Sequence, residues 1–347
     1  MRHRTPAPGG PWVKIAALLV AVGVVAGAGI AGGALARVRQ LDNNVTRIDA
    51  FKPGARHPAR PRPRVDGPLT FLVVGSDSRA KNSHDPRQVA ATGGERTDTI
   101  MLVHLQRDQK HGYVVSIPRD TFVDIPKAPG WDGGRAKINA AFQYGGVPLL
   151  VQTVEAFTRT RIDHVVVIDF EGLVRVVDAL GGIDVTVSEA VRDPETKARF
   201  SKGVNHLNGR RALEYVRERH GLPHGDFDRI KRQHQFLFAL LSKAASTGTL
   251  TNPAKLNAFL DAASKSITVD RGMQLIDLAV QLSSLRPADF TFLTTPIAGD
   301  ATDPVWGAIL LPDLTGAAGL FGAMTDDTLA AWVVAHPATA SDPTRGF

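Results

Sequence analysis

Short apolar runs bounded by turn residues punctuate the chain from Leu69 onward. LTFLVVG (69–75), TIMLVHL (99–105), GYVVSIP (112–118) and HVVVIDF (164–170) have the length and β-branched content of buried strands. The period then changes. FEGLVRVVDALGG (170–182) places apolar residues at helical spacing and stops on two glycines, and strand IDVTV follows. NGRRALEYV opens another helix, and a long amphipathic one covers 226–245. Helical patterns at 253–265 and 271–285 precede a last strand, DFTFLTT (289–295). Such alternation predicts an α/β domain with a layered mixed β-sheet flanked by helices. No internal repeat is present. The end of the chain is rich in Ala, Thr, Ser and Pro, so the folded domain is expected over 68–332 and a flexible tail over 333–347.

Residues before the domain follow another rule. Ile15 to Ala36 contains no charge over 22 residues. At ~1.5 Å rise per residue a helix of that length covers the ~30 Å hydrocarbon core of a bilayer. Arg2, Arg4 and Lys14 precede it, with Trp12 where an interfacial aromatic is expected. Ala34-Leu35-Ala36 has the small-x-small form of a signal-peptidase site, but the apolar run exceeds the usual ~7–15 residues of a signal peptide. The reading is therefore a short cytoplasmic tail (1–14), an uncleaved transmembrane anchor (15–36) and a linker (37–67). Within that linker, KPGARHPARPRPRVDGP predicts an extended, solvated tether able to lie on anionic headgroups. Arg37, Arg39 and Arg47 follow the span, so basic flanks alone do not choose its orientation.

Charge sharpens the picture. Of 41 Lys+Arg and 34 Asp+Glu, the first 64 residues hold 11 and 2, leaving 30 and 32 for the remainder. The high pI belongs to the tail, and a slightly acidic domain argues against a nucleic-acid partner. With no cysteine, disulfides and thiolate chemistry are excluded.

VRERHGLPHGDFDRIKRQ (216–233) concentrates Arg217, Arg219, Arg229, Lys231 and Arg232. Guanidinium groups are rigid forks of donors suited to phosphate oxygens. Charged pairs recur at spacing two: Asp77/Arg79, Arg96/Asp98 and Arg217/Arg219. Residues two apart share a face only in extended backbone, so Val216–Arg219 is expected to be extended or irregular. The first two pairs fall at strand ends, where α/β domains place ligands. Two carboxylates there can hold Mg²⁺ and a diphosphate, or can form ordinary surface ion pairs. His220 and His224, with Asp226 and Asp228, are interrupted by Pro223 and glycines and read as loop residues. Arg229, Gln233, Phe236 and Leu240 fall on one helical face, polar at its start and apolar beyond. That face suits a ligand with a charged head and a greasy tail, or an ordinary core helix. Phosphate-loop, nucleophile-elbow and HExxH signatures are missing.

In order, GSDSR, ERTDTIM, SIPRDTFVDIP, KINAAFQYGG, DALGGIDV, VRER and GDFDRIKRQ resemble the LytR-CpsA-Psr family, densely from about Leu69 to Ala245. The resemblance implies a membrane-anchored enzyme, its N-terminus cytoplasmic and its domain outside the cell membrane. It implies transfer of a glycopolymer from a polyprenyl-pyrophosphate carrier to peptidoglycan as a phosphodiester. By motif, Asp77 and Asp98 correspond to Mg²⁺ ligands, and these two with Arg119 to the catalytic set. Arg79, Arg96, Arg119, Arg217, Arg219, Arg229 and Gln233 correspond to a pyrophosphate clamp, with Phe236, Leu237 and Leu240 lining a lipid tunnel. The same residues would serve a polyprenyl-pyrophosphate phosphatase. A third reading is a membrane-tethered wall-binding regulator without turnover, against which the paired acids argue.

Overall fold

The structure is a computed structural model describing residues 31–51, 60–61, 67–76, 97–194, 196–218, 222–275, 282 and 285–346. It opens with α1 (Ala31–Asn44), β1 (Thr46–Ile48), β2 (Leu69–Ser76), β3 (Thr97–Leu105) and β4 (Gly112–Ser116). A hairpin of β5 (Phe122–Ile125) and β6 (Gly134–Lys137) leads into α2 (Ile138–Thr158), β7 (His164–Asp169) and α3 (Phe170–Ala179). β8 (Ile183–Val187), β9 (Val191–Arg192), β10 (Arg199–Phe200), β11 (Gly203–Leu207) and α4 (Gly209–Arg217) form a satellite lobe. Then come α5 (Asp226–Ala244), α6 (Thr247–Leu250), α7 (Pro253–Ser264), β12 (Ile267–Asp270) and β13 (Phe290–Thr294). A second hairpin, β14 (Ile297–Asp303) and β15 (Gly307–Pro312), precedes α8 (Leu314–Thr325), α9 (Leu329–Ala335) and β16 (Ala340–Ser341).

Eight strands make one mixed sheet in the order β1-β12-β7-β2-β3-β4-β13-β16. β7 runs parallel to β2 and β13 parallel to β4, while β3 is antiparallel to both its neighbours. The register puts Leu72, Val74, Ile100, Leu102, Val115 and Val165 on one face. All are at most 1 % exposed beneath α2 and α8, whose Leu150, Val154, Leu320 and Phe321 join the same core. Phe71, Val73, Met101, Val103, Val114 and Val166 point the other way, toward Leu237 and Phe238 of α5. The second face is incompletely covered: Val73, Val103, Val166 and Ile168 remain partly exposed in the middle of the sheet. Central strands with helices on both faces normally bury such positions.

The expected strands and the helices at 170, 208, 226 and 253 all appear. Helix α2 was not anticipated, because it is apolar nearly all round and so lacks the amphipathic period that marks a surface helix. Gly146 interrupts it at φ 61°, ψ −155°, a conformation open only to glycine, and Pro148 restarts the helix just beyond. That glycine pair carries a structural demand its sequence context did not announce.

Three boundaries differ from expectation. Residues 15–30 of the predicted anchor lie outside the described residues. Residues 31–36 are helical and continue without a break to Asn44; among the described residues no helix is long and apolar enough to cross a membrane. The described parts of the 37–67 stretch rest on the domain, while 52–59 and 62–66 of the predicted tether lie outside the described residues. Arg37 pairs with Asp261 of α7 at 3.0 Å, β1 adds parallel to β12, and Ala50 is buried. Farther on, Arg60 donates to both oxygens of the buried Glu155 and to Ile162 O, with its guanidinium over the Phe51 ring. Finally, the tail expected to be flexible completes the sheet: β16 pairs antiparallel with β13, and Gln235 Nε2 donates to Arg345 O. A short edge strand of small residues carries no periodic signal, and its backbone bonds depend only on the partner being there.

Candidate active site

The end of β2, the start of β3 and the ends of β4 and β7 meet at one edge of the sheet, since Ser76 pairs with both Thr97 and Asp169 and Met101 with Ser116. Asp98, second residue of β3, stands there with its side chain 18 % exposed. Past β4 the chain turns at Pro118, whose carbonyl accepts from Thr121 N at 3.0 Å and Thr121 Oγ1 at 2.6 Å. That turn aims Arg119 back across the sheet edge, and its Nη1 donates to Asp98 Oδ1. Arg119 Nε also lies 3.6 Å from Asp120 Oδ2 and 3.8 Å from Asp226 Oδ1. Lys137, closing the β5–β6 ribbon, reaches Asp120 Oδ1 at 2.9 Å. Gly225, at φ 51°, delivers the chain into α5, whose first residue Asp226 pairs with Arg229 one turn on.

Three carboxylates thus interleave with two guanidiniums and one ammonium, gathered from β3, the β4–β5 loop, β6 and α5. Burial acts to lower the Arg119 pKa, but Asp98, Asp120 and Asp226 together outweigh it and the net shift is upward. Arg229 goes the other way: burial dominates and Arg119 adds repulsion, against the attraction of Asp226, so its pKa falls. Arg229 is only 3 % exposed, and the buried Nε atoms of Arg119 and Arg229 make no hydrogen bond. Buried donors of this kind ordinarily find an acceptor, and an anion's oxygens would provide one.

The predicted residues divide into groups. Asp98, Arg119 and Arg229 come together. Asp77, Arg79, Arg96 and Arg219 lie outside the described residues. Arg217 is exposed, with its guanidinium over the Phe170 ring at 5.0 Å. Val216 and Arg217 are helical, contrary to the expectation of irregular backbone over 216–219; the helix stops immediately after, with Glu218 at φ −60°, ψ 130°. Gln233 is buried and donates to Val216 O at 3.3 Å, tying α5 to the end of α4.

Arg232 faces away from the cluster. It is fully buried in the satellite lobe over Tyr215 (4.7 Å) and Phe200 (5.5 Å). Phe236 and Leu240 pack into that lobe too, whereas Leu237 faces the sheet. One face of α5 therefore does not carry the whole predicted tunnel, because positions 236 and 240 point to a different core from 237. The partly exposed Val73 and Val103 pack with Leu237 and Phe238 on the sheet face that α5 covers, and Val166 pairs with Val73 beside them. A separate cavity of about 380 Å³ lies farther along α5, lined by Gln235, Ala239, Ser242, Lys243, Asp184 and Thr344, and contains none of the cluster. Asp120, Lys137 and Asp226 were missed as site residues. The Arg-Asp doublet 119–120 and the acids flanking Arg229 were the available signals, but only the fold shows that they converge.

Asp98 offers the hard oxygen donor that Mg²⁺ takes, and Arg119 occupies one side of it. Among the described residues no group of three potential ligands is positioned to hold a metal.

The sequence profile of the LytR_cpsA_psr family matches residues 38–310. The probable cell wall biosynthesis protein LcpB of Corynebacterium glutamicum is 38 % identical over 309 residues, 87 % of this chain and 71 % of that protein. The polyisoprenyl-teichoic acid–peptidoglycan teichoic acid transferase TagV of Bacillus subtilis is 39 % identical over 184 residues, which is 51 % of this chain and 46 % of TagV. The crystal structure of B. subtilis TagV superimposes with a TM-score of 0.60 at 30 % identity, covering 77 % of this chain and 99 % of that one.

Proposed function

The chain belongs to the LytR-CpsA-Psr family, and from that premise we propose that it transfers a glycopolymer from a polyprenyl-pyrophosphate carrier to peptidoglycan as a phosphodiester. One observation carries this reading. Two neighbouring arginines, Arg119 and the buried Arg229, whose buried Nε atoms lack hydrogen-bond partners, stand at the edge of a sheet whose adjoining face is an apolar, partly open surface. A diphosphate joined to a long hydrocarbon needs both features side by side.

In the proposed reaction an acceptor hydroxyl oxygen bonds to the phosphorus that carries the glycan. The bond from that phosphorus to the bridging oxygen breaks, polyprenyl phosphate leaves with the bridging oxygen, and the hydroxyl proton passes to the departing phosphate or to water. Negative charge grows on the equatorial and leaving oxygens, so the protein's task is positioning and charge stabilisation. Arg119 and Arg229 bind those oxygens. Asp98, Asp120 and Asp226 hold the two guanidiniums in place, and Lys137 adds a cation through Asp120. Asp98, with Asp77, would hold Mg²⁺, which when bound supplies further neutralisation of the diphosphate. Val73, Val103, Val166 and Leu237 take the prenyl chain. The 15–36 segment would anchor the enzyme in the membrane, with its N-terminus cytoplasmic and the domain outside.

The test supplies the full chain in detergent with a polyprenyl-pyrophosphate-linked glycan and peptidoglycan fragments, with and without Mg²⁺. Glycan on the peptidoglycan is expected, lost in Asp98→Ala and Arg119→Ala. Polyprenyl phosphate released without glycan transfer would mean a phosphatase instead. Binding without turnover, unaffected by Asp98→Ala, would mean a wall-binding regulator.

A further inference from the structure

Away from the charged cluster, three large aromatic residues meet on the surface. Trp131, in the β5–β6 turn, stacks on Tyr144 of α2 with ring centroids 4.7 Å apart and planes at 23°. Trp306, in the β14–β15 turn, stands edge-on to both, at 6.1 Å and 6.5 Å. All three are only partly buried, and the neighbouring Val305 is 82 % exposed. The geometry is fixed by local bonds. Ala128 and Trp131 exchange two backbone hydrogen bonds, Trp131 Nε1 donates to Ile125 O, and Asp303 Oδ1 accepts from Val305 N and Trp306 N. Two hairpin turns and a helix thus hold three rings together that pack against the core on one side and stay partly exposed on the other.

Position gives the cluster its meaning. The β5–β6 ribbon begins beside Arg119 and Asp120 and returns at Lys137, and Trp131 occupies its far end. Three residue steps separate the Phe122–Lys137 pair from the Ile125–Gly134 pair, about 10 Å. In-line displacement puts the entering hydroxyl and the leaving oxygen on opposite sides of phosphorus. The leaving prenyl phosphate is assigned to the sheet face carrying Val73 and Val103. Tyr144 belongs to α2, which covers the opposite face.

We propose that Trp131, Tyr144 and Trp306 form an acceptor subsite that stacks the pyranose rings of a peptidoglycan glycan strand and feeds its hydroxyl toward Arg119. This inference rests on the transferase reading. Sugar C–H bonds carry partial positive charge and meet the negative faces of aromatic rings, while the edges of the sugar need hydrogen-bonding groups. Lys127 and Asp132, 3.3 Å apart and both exposed, flank Trp131 and supply them.

The probe is soluble, uncrosslinked peptidoglycan glycan strand, titrated into the full chain in detergent by calorimetry. Trp306→Ala is expected to weaken strand binding at least ~10-fold and to raise the strand KM, whereas Trp306→Phe, which keeps a ring, stays within ~3-fold of wild type. Affinity for polyprenyl pyrophosphate, measured separately, should be unchanged in both. The exposed double variant Lys127→Ala/Asp132→Ala is expected to weaken strand binding ~3-fold and serves if Trp306→Ala melts early. Wild type that binds no strand, or variants that bind it as wild type does, overturn the subsite; glycan transfer persisting in those variants would leave the proposed reaction standing. Trp306-dependent strand binding without any transfer would sustain the subsite and sink the reaction.

Discussion

His234 lies on α5 between Arg229 and Leu237, and it is wholly buried. Its Nε2 meets Ser116 Oγ at 2.8 Å and its Nδ1 meets Ser341 Oγ at 2.6 Å. The ring therefore fastens α5 to the strand that ends just before Arg119, and to the edge strand of the C-terminal segment. Burial pushes its pKa down from 6.5 to about 3. Between those values the unfolded chain binds a proton that the native state refuses, so stability falls as pH drops from 6.5 toward 3. The slope for one such group is about 1.4 kcal/mol per pH unit, or roughly 2–3 kcal/mol between pH 6.5 and 4.5. His104, held by Thr70 and pushed by burial to about 4, adds a like amount over the same window. His234→Gln keeps polar atoms for both serines but cannot titrate. Urea unfolding followed by circular dichroism at pH 7.5, 6.5, 5.5 and 4.5 is the assay. The variant starts lower at pH 7.5, by about 1–3 kcal/mol for imperfect hydrogen bonding. Its loss on acidification should be smaller than wild type's by the full His234 share. Asp163, raised by burial, titrates in the opposite sense but is common to both proteins and cancels. Parallel stability–pH curves for the two proteins would refute the argument, whatever their offset.

Other consequences are quicker to state. On the proposed reaction, Arg229→Ala should lower kcat/KM for the lipid-linked donor by ~100-fold or more in steady-state transfer assays, since a buried guanidinium assigned to the phosphates is lost and Asp226 loses its ion-pair partner. Val103→Trp fills the partly open face and should raise the donor KM at least ~10-fold while costing about 1–3 kcal/mol in unfolding. Arg60→Ala leaves the buried Glu155 with the Ile162 N–H but without its cation, and should cost about 3 kcal/mol in denaturant unfolding. A neutral result there would mean that the Arg60–Glu155 pair contributes nothing to stability.

The amphipathic and apolar periods were enough to locate the central strands and the helices that carry Arg217 and Arg229, because burial on one or both faces writes itself into residue order. The motif series went further and identified the family, and it singled out Asp98, Arg119 and Arg229, which the fold brings together at one end of the sheet. Local pattern failed where structure depends on distant partners. Helix α2 is apolar all round; β1 and β16 are strands only because β12 and β13 offer them edges; Arg60 looks like linker until Glu155 lies beneath it. The arginines near position 230 show the limit most plainly. Arg229 and Arg232 are one helical turn apart and chemically identical. Three steps of about 100° leave them about 60° apart around the helix, and that offset sends one to the carboxylates at the sheet edge and the other onto Tyr215 in a separate core. Sequence determined that the guanidiniums exist and that the helix forms; only tertiary packing decided which of them meets Asp226 and Arg119, because that choice is made by what surrounds the helix and not by its own residues.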